Sequence, residues 1–154
     1  MVTKRKVPAR RSAGAGRKRV LFEDLTVNDI VNRRVQAVGL DMKGDAVAAL
    51  LLKGGGAVPV VDKAKRLLGV VSEHDLLLAL DEGQVWSAQR VKHIMSANPY
   101  SVRPESSLST LVHVLTESDL LSAPVVNADN RFLGMVTRRD VVRAALRPAA
   151  KRRS

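Results

Sequence analysis

Ala57-Val58-Pro59-Val60-Val61 recurs as Ser122-Ala123-Pro124-Val125-Val126, and Leu68-Gly69-Val70-Val71-Ser72-Glu73-His74-Asp75-Leu76 recurs as Leu133-Gly134-Met135-Val136-Thr137-Arg138-Arg139-Asp140-Val141. Both pairs lie 65 residues apart with no gap between them. Upstream, Val27-Asn28-Asp29-Ile30-Val31 is echoed by Val91-Lys92-His93-Ile94-Met95 at a spacing of 64, so one single-residue indel separates the copies. The period is longer than that of solenoid repeats, and there are two copies only. The pattern predicts two related subdomains facing each other about a pseudo-twofold axis.

Each copy reads as β-α-β-β-α, an α/β (α+β) unit. In the second, Tyr100-Ser101-Val102 is short and extended. Pro104 breaks the chain, and Ser106 or Ser107 is placed to cap a helix. Leu108, Leu111, Val112 and Leu115 then follow at helical spacing. The apolar runs through Pro124-Val125-Val126 and from Phe132 to Val136 flank the polar turn 127–131, which predicts a hairpin. Thr137 opens a last helix, with Val141, Val142, Ala145 and Leu146 expected on its inner face. In the first copy Ala37-Val38 takes the place of the first strand. A helix is expected over 41–52, with Ala46, Ala49, Leu50 and Lys53 along one face, ended by Gly54-Gly55-Gly56. Each copy of about 60 residues is small for an independent core, so the two are expected to pack together.

The chain of 154 residues carries a net charge of +11, but the charge is localised. Residues 1–19 hold eight bases and no acid, and 147–154 hold four more. The stretch between them keeps fourteen bases against fifteen acids, a net of −1. The expected organisation is a basic disordered tail 1–19, a first repeat 20–80, a connector 81–90, a second repeat 91–146 and a basic tail 147–154. Lys/Arg clusters set among Gly, Ala, Ser and Pro cannot bury a core. They suit salt-dependent attachment to nucleic acid, or they serve only as solubilising extensions. Neither tail interleaves aromatics, which weakens a base-stacking reading. No run reaches the roughly 18 apolar residues of a membrane span. No apolar stretch follows the basic N-terminus as in a secretory leader. The segment lacks acids as transit peptides do, but Pro8 and its glycines oppose an amphipathic helix. A cytoplasmic protein is expected.

Two such copies in register, each with an apolar-Pro-Val-Val strand and a Gly-apolar-apolar-Ser/Thr-x-x-Asp turn, resemble a tandem cystathionine-β-synthase (CBS) domain pair over about 25–146. The resemblance implies two sheets packed with clefts between them, which take an adenosine-containing ligand: AMP, ADP, ATP or S-adenosylmethionine. It implies a homodimer of modules, a regulatory rather than catalytic role, and signalling to a partner protein. By resemblance Asp75 and Asp140 take the ribose hydroxyls, and Ser72 and Thr137 bond the ribose or first phosphate. The segments Gly56-Ala57-Val58-Pro59 and Leu121-Ser122-Ala123-Pro124 line the adenine.

Elementary chemistry is compatible with those roles. A strand-to-helix junction presents free N–H groups and a partial positive charge, which suits phosphate. A carboxylate accepts two hydrogen bonds, which matches a vicinal diol. Arg138, Arg139 and His74 lie in the first helical turn, within reach of phosphates, and Arg suits them by its planar fork. Ser-x-x-Asp and Thr-x-x-Asp also have the form of a capping box, a purely structural device. The repeat context favours the ligand role for Thr137 and Asp140 and leaves Ser72 and Asp75 evenly balanced between the two. The glycine triplet opposite Asp119-Leu120-Leu121 fits either a close ligand approach or a degenerate site.

Cysteine is absent, which excludes a disulfide framework, a thiol nucleophile and a Cys-bound zinc. His74, His93 and His113 show no paired spacing, so no metal is expected. No nucleophile elbow, P-loop or paired-carboxylate pattern occurs, so no catalytic residue is assigned. Trp86, in the connector, reads as a hydrophobic anchor ahead of a cleft cover.

Overall fold

The computed structural model describes residues 21–54 and 56–147, so the tail 1–19 and all of the C-terminal tail except Arg147 lie outside the described residues. Two 3-10 turns (Phe22–Asp24, Val27–Asp29) precede α1 (Gly44–Leu51), the hairpin β1 (Ala57–Val61) and β2 (Leu67–Ser72), and α2 (Glu73–Asp81). After a third turn (Trp86–Ala88) come α3 (Val91–Ile94), the short β3 (Ser96–Ala97), α4 (Leu108–Glu117), the hairpin β4 (Ser122–Val126) and β5 (Phe132–Thr137), and α5 (Arg138–Leu146). This is the expected α+β architecture.

The repeat is visible in the register. Ala57 pairs with Ser72 and Ser122 with Thr137, and each ladder slips at the same place, between Val60 and Val61 and between Val125 and Val126. The expected first strand of each copy contracts to a single residue at that slip. Val38 bridges Val60 in parallel, and Val102 bridges Val125. The Val38 N–H donates to the Pro59 carbonyl and its carbonyl accepts from Val61, a pattern repeated at Val102 with Pro124 and Val126. β1 and β4 are edge strands, so these backbone groups point away from the paired strand. The turns of the two hairpins also meet: Arg66 bridges Arg131, and the N–H of Leu67 donates to the Asn130 carbonyl at 2.9 Å.

Two apolar clusters fill the halves, and the lead-in segments complete them crosswise. Val38, Val47, Leu51, Val58, Val60, Val71 and Leu76 of the first repeat pack with Val91 and Ile94 from the start of the second. Val102, Leu108, Leu111, Leu115, Val125 and Val136 of the second repeat pack with Val27, while Phe22, Leu25 and Ile30 lean on the same cluster. Burying each large aliphatic side chain contributes about 2 kcal/mol. Backbone bonds fix the exchange. Val27 N–H donates to the Ser106 carbonyl and Val91 N–H to that of Met42, each at 2.8 Å.

Two helical faces differ from expectation. α1 starts at Gly44 and buries Gly44, Val47 and Leu51, while Ala46, Ala49 and Lys53 are exposed. The reason is contact distance: a Cβ on Gly44 would stand 2.7 Å from both Ile94 Cδ1 and the Trp86 carbonyl, so this side of the helix lies against the connector. In α5 the inner positions are Val141 and Ala144, leaving Val142, Ala145 and Leu146 exposed. Trp86 is half-buried on the first cluster, and its indole N–H donates to the Leu76 carbonyl at 3.1 Å, an anchor for the connector.

Candidate functional site

Antiparallel pairing brings the start of β1 and the end of β2 to one edge, and α2 leaves from the same point. Ser72 is the extended N-cap of α2, as Thr137 is of α5. Both turns close as capping boxes. Ser72 Oγ accepts from the Asp75 N–H at 3.2 Å, and Asp75 Oδ2 accepts from the Ser72 N–H at 2.8 Å and from its Oγ at 2.9 Å. The corresponding distances at Thr137 and Asp140 are 3.1 Å and 2.9 Å for the two backbone donors. The capping role is therefore realised in both copies, and any ligand contact is additional to it.

A cavity of about 460 Å³ opens over the first of these turns. Of the residues singled out in the sequence, it brings together Gly56, Ala57, Ser72, Asp75, Leu121, Ser122 and Pro124, with His74 beside them. Val58, Pro59 and Ala123 do not line it; they are buried within their strands. Thr137, Arg138, Arg139 and Asp140 form the equivalent turn of the second repeat and do not line it either. The Arg138 guanidinium is engaged by the Leu120 carbonyl at 2.6 Å and by Asp119 Oδ1 at 3.0 Å. Asp140 Oδ1 faces Arg143 at 3.5 Å.

The remaining walls were not anticipated. They come from Val70, Glu73, the segment 96–100, Asp119, Leu120 and Met135. The segment 96–100 enters because β3 pairs with β2, Ser96 opposite Val70. Asn98-Pro99 is a turn signal that marks a chain reversal there, but the pairing itself is non-local. Gly56, at φ +81°, lies at the junction of the repeats, where an added Cβ would stand 3.1 Å from Ser122 Oγ. Among the described residues, every formally charged one on the lining is an acid (Glu73, Asp75 and Asp119), with His74 and Tyr100 as the further titratable groups. Asp75 is 9% exposed, and its second oxygen accepts from Ser96 Oγ at 2.7 Å. Among the described residues no cluster of His, Cys, Asp and Glu is arranged to hold a metal. None of their helices is long and apolar enough to cross a membrane.

Comparison with known proteins places these features in a family. The CBS domain model matches residues 27–82 and again 91–147. The chain is 31% identical over 129 residues to the CBS domain-containing protein CBSX2, chloroplastic, of Arabidopsis thaliana, a match that covers 66% of this chain and 54% of the relative. The chain thus spans about half the length of that relative, and 25% of a protein of Methanocaldococcus jannaschii that it also matches. The crystal structure of CBSX2 in complex with AMP superposes with a TM-score of 0.69 at 34% identity, covering 79% of this chain and 96% of the other. A conserved protein from Pyrococcus horikoshii superposes at 0.71 with 21% identity, over 80% of this chain and 55% of that one, and shares the fold.

Proposed function

The chain belongs to the CBS domain family as a tandem pair of repeats, and on that premise we propose that it is a regulatory, non-catalytic module that binds an adenosine-containing ligand between the repeats. The observation that carries this reading is the cavity itself. Its 460 Å³ is within the size range of small-ligand sites. It joins backbone at Gly56-Ala57 for a base, a carboxylate at Asp75 for a diol and an N-cap at Ser72. The AMP complex of CBSX2, at 34% identity, supports the ligand class.

Regulation follows from the shared walls. The cavity is built from both repeats, so a ligand that fits one relative placement better than another shifts their equilibrium. The solvent-facing Leu77, Leu78 and Leu80 of α2, with Val142 and Leu146 of α5, supply apolar surface for a second copy or a regulated partner. Sedimentation of the full chain with and without Leu77→Glu tests the homodimer.

Calorimetry with AMP, ADP, ATP and S-adenosylmethionine tests the binding. At least one should give heat, and Asp75→Ala should weaken it about tenfold or more, the loss of charge-assisted bonds. Silence from all four ligands with folded protein removes the proposal. A second reading, nucleic-acid attachment, rests on the twelve bases of 1–19 and 147–154. It requires filter binding that weakens with salt and disappears when both tails are deleted.

A further inference from the structure

We propose that the cavity at Ser72 and Asp75 selects adenosine derivatives whose 5′ substituent is uncharged or cationic, and discriminates against nucleoside polyphosphates. The inference rests on the adenosine-binding reading above and deepens it by assigning the ligand's charge class.

The lining decides it. Three acidic residues, Glu73, Asp75 and Asp119, line this space, and among the described residues no lysine or arginine does. The Arg138 guanidinium, bonded to two residues of these walls, is held by Asp119 and the Leu120 carbonyl. Phosphate binding at a helix start relies on unneutralised N–H groups and the positive end of the dipole. Here the first turn of α2 already holds Glu73 and Asp75, and the Asp75 N–H is spent on Ser72 Oγ. The second repeat shows the contrast within one molecule. At the positions equivalent to Glu73 and His74 it carries Arg138 and Arg139. A polyphosphate brought into the first cavity meets the like charge of Glu73 and Asp75, the Asp119 carboxylate being shared with Arg138. A thioether does not, and a sulfonium gains both from the carboxylates and from the exposed ring of Tyr100 at the mouth.

The test is a titration of the ¹⁵N-labelled full chain with 5′-methylthioadenosine, S-adenosylmethionine, AMP and ATP. It is read at the backbone amides of Ala57, Ser96 and Ala97, which line this cavity, so that a ligand bound at the second turn is not counted. The first two ligands should bind at least about tenfold tighter than ATP. Glu73→Lys should narrow that gap by about tenfold; Asp119→Asn, at an exposed loop residue, is the second variant and should narrow it in the same direction. ATP binding as tightly as the thioether at these amides overturns the inference, and so does a gap that neither substitution moves. If the only shifts fall at Thr137 and Asp140, the inference fails while the adenosine-binding reading stands. If no ligand shifts any resonance, both fail.

Discussion

The hydroxyl of Ser96, in the strand that opens the second repeat, donates to Asp75 Oδ1 in the first repeat at 2.7 Å. The position equivalent to Ser96 in the first lead-in segment is Asn32, which bridges Met135 as Ser96 pairs with Val70. Ionised Asp75 offers about four acceptor sites. Ser72 N, Ser72 Oγ and Ser96 Oγ already use three. A vicinal diol brings two donors, so one resident bond must open, and Ser96 is the one outside the capping box.

Ser96→Ala should therefore bind an adenosine ligand about three- to tenfold more tightly, the equivalent of one hydrogen bond of competition removed. Its melting temperature should fall slightly, since the same bond ties β3 to the first repeat. Calorimetry and thermal melts of the two proteins check this. Unchanged or weaker affinity means that Ser96 does not compete for Asp75.

Gly69 and Gly134 hold the lead-in segments against the sheets. A Cβ at Gly69 would stand 2.6 Å from the Ser96 carbonyl and 2.8 Å from Met95 Sδ. At Gly134 it would meet the Asn32 carbonyl and Val31 Cγ2. At each glycine the closest obstacle is a backbone carbonyl, which cannot swing away. Either glycine replaced by alanine should cost about 2–3 kcal/mol in urea denaturation. Gly39→Ala, where an added Cβ meets nothing within 4 Å, should lie within about 0.5 kcal/mol of the parent.

Those glycines show where sequence reading reached its limit. The hairpins, the Ser107 cap, the strand-to-helix turns and the stripe of Leu108, Leu111 and Leu115 are local patterns, and they stand as expected. The wall supplied by 96–100 depends on pairing across the repeats, which no local period encodes. The face of α1 departs from expectation because Gly44 sets the close contact, and Val47 and Leu51 follow on its side while Ala46 and Ala49, though apolar, face solvent. Apolarity alone cannot reveal a close approach.

Acid should loosen the turn between β1 and β2. Asp62 accepts from the Arg66 and Ala64 N–H groups, each at 2.9 Å, and from the Arg66 guanidinium. Chiefly the Arg66 backbone bond holds its carboxyl below the ordinary aspartate value. A lowered folded pKa means the stabilisation is present above the unfolded value and is lost as pH falls through the folded one. Asn127 fills the equivalent place and accepts from Asp129 and Arg131 in the same way, so an amide is compatible with the turn. Asp62→Asn should be the less stable protein at neutral pH, with the difference vanishing in the acid range. Urea midpoints measured across pH check it, and a difference that persists below the carboxylate range refutes the assignment.

Crosswise packing gives the last prediction. Val27 is fully buried, yet its neighbours in the core belong to the second repeat, and its N–H donates to the Ser106 carbonyl. Val27→Ala removes two methyl-sized groups and leaves a cavity, at a cost of about 2 kcal/mol. The loss should appear far along the chain. Amide exchange should accelerate most in α4, at Leu111 and Leu115, while Val47 and Leu51 of α1 keep their protection at conditions below global unfolding. Val91→Ala is the mirror experiment, since Val91 packs with Val47 and Leu51. It should expose α1 and spare α4. Were each substitution to loosen the repeat that contains it in sequence, the lead-ins would be stabilising their own repeats and the exchange of segments would carry no energetic weight.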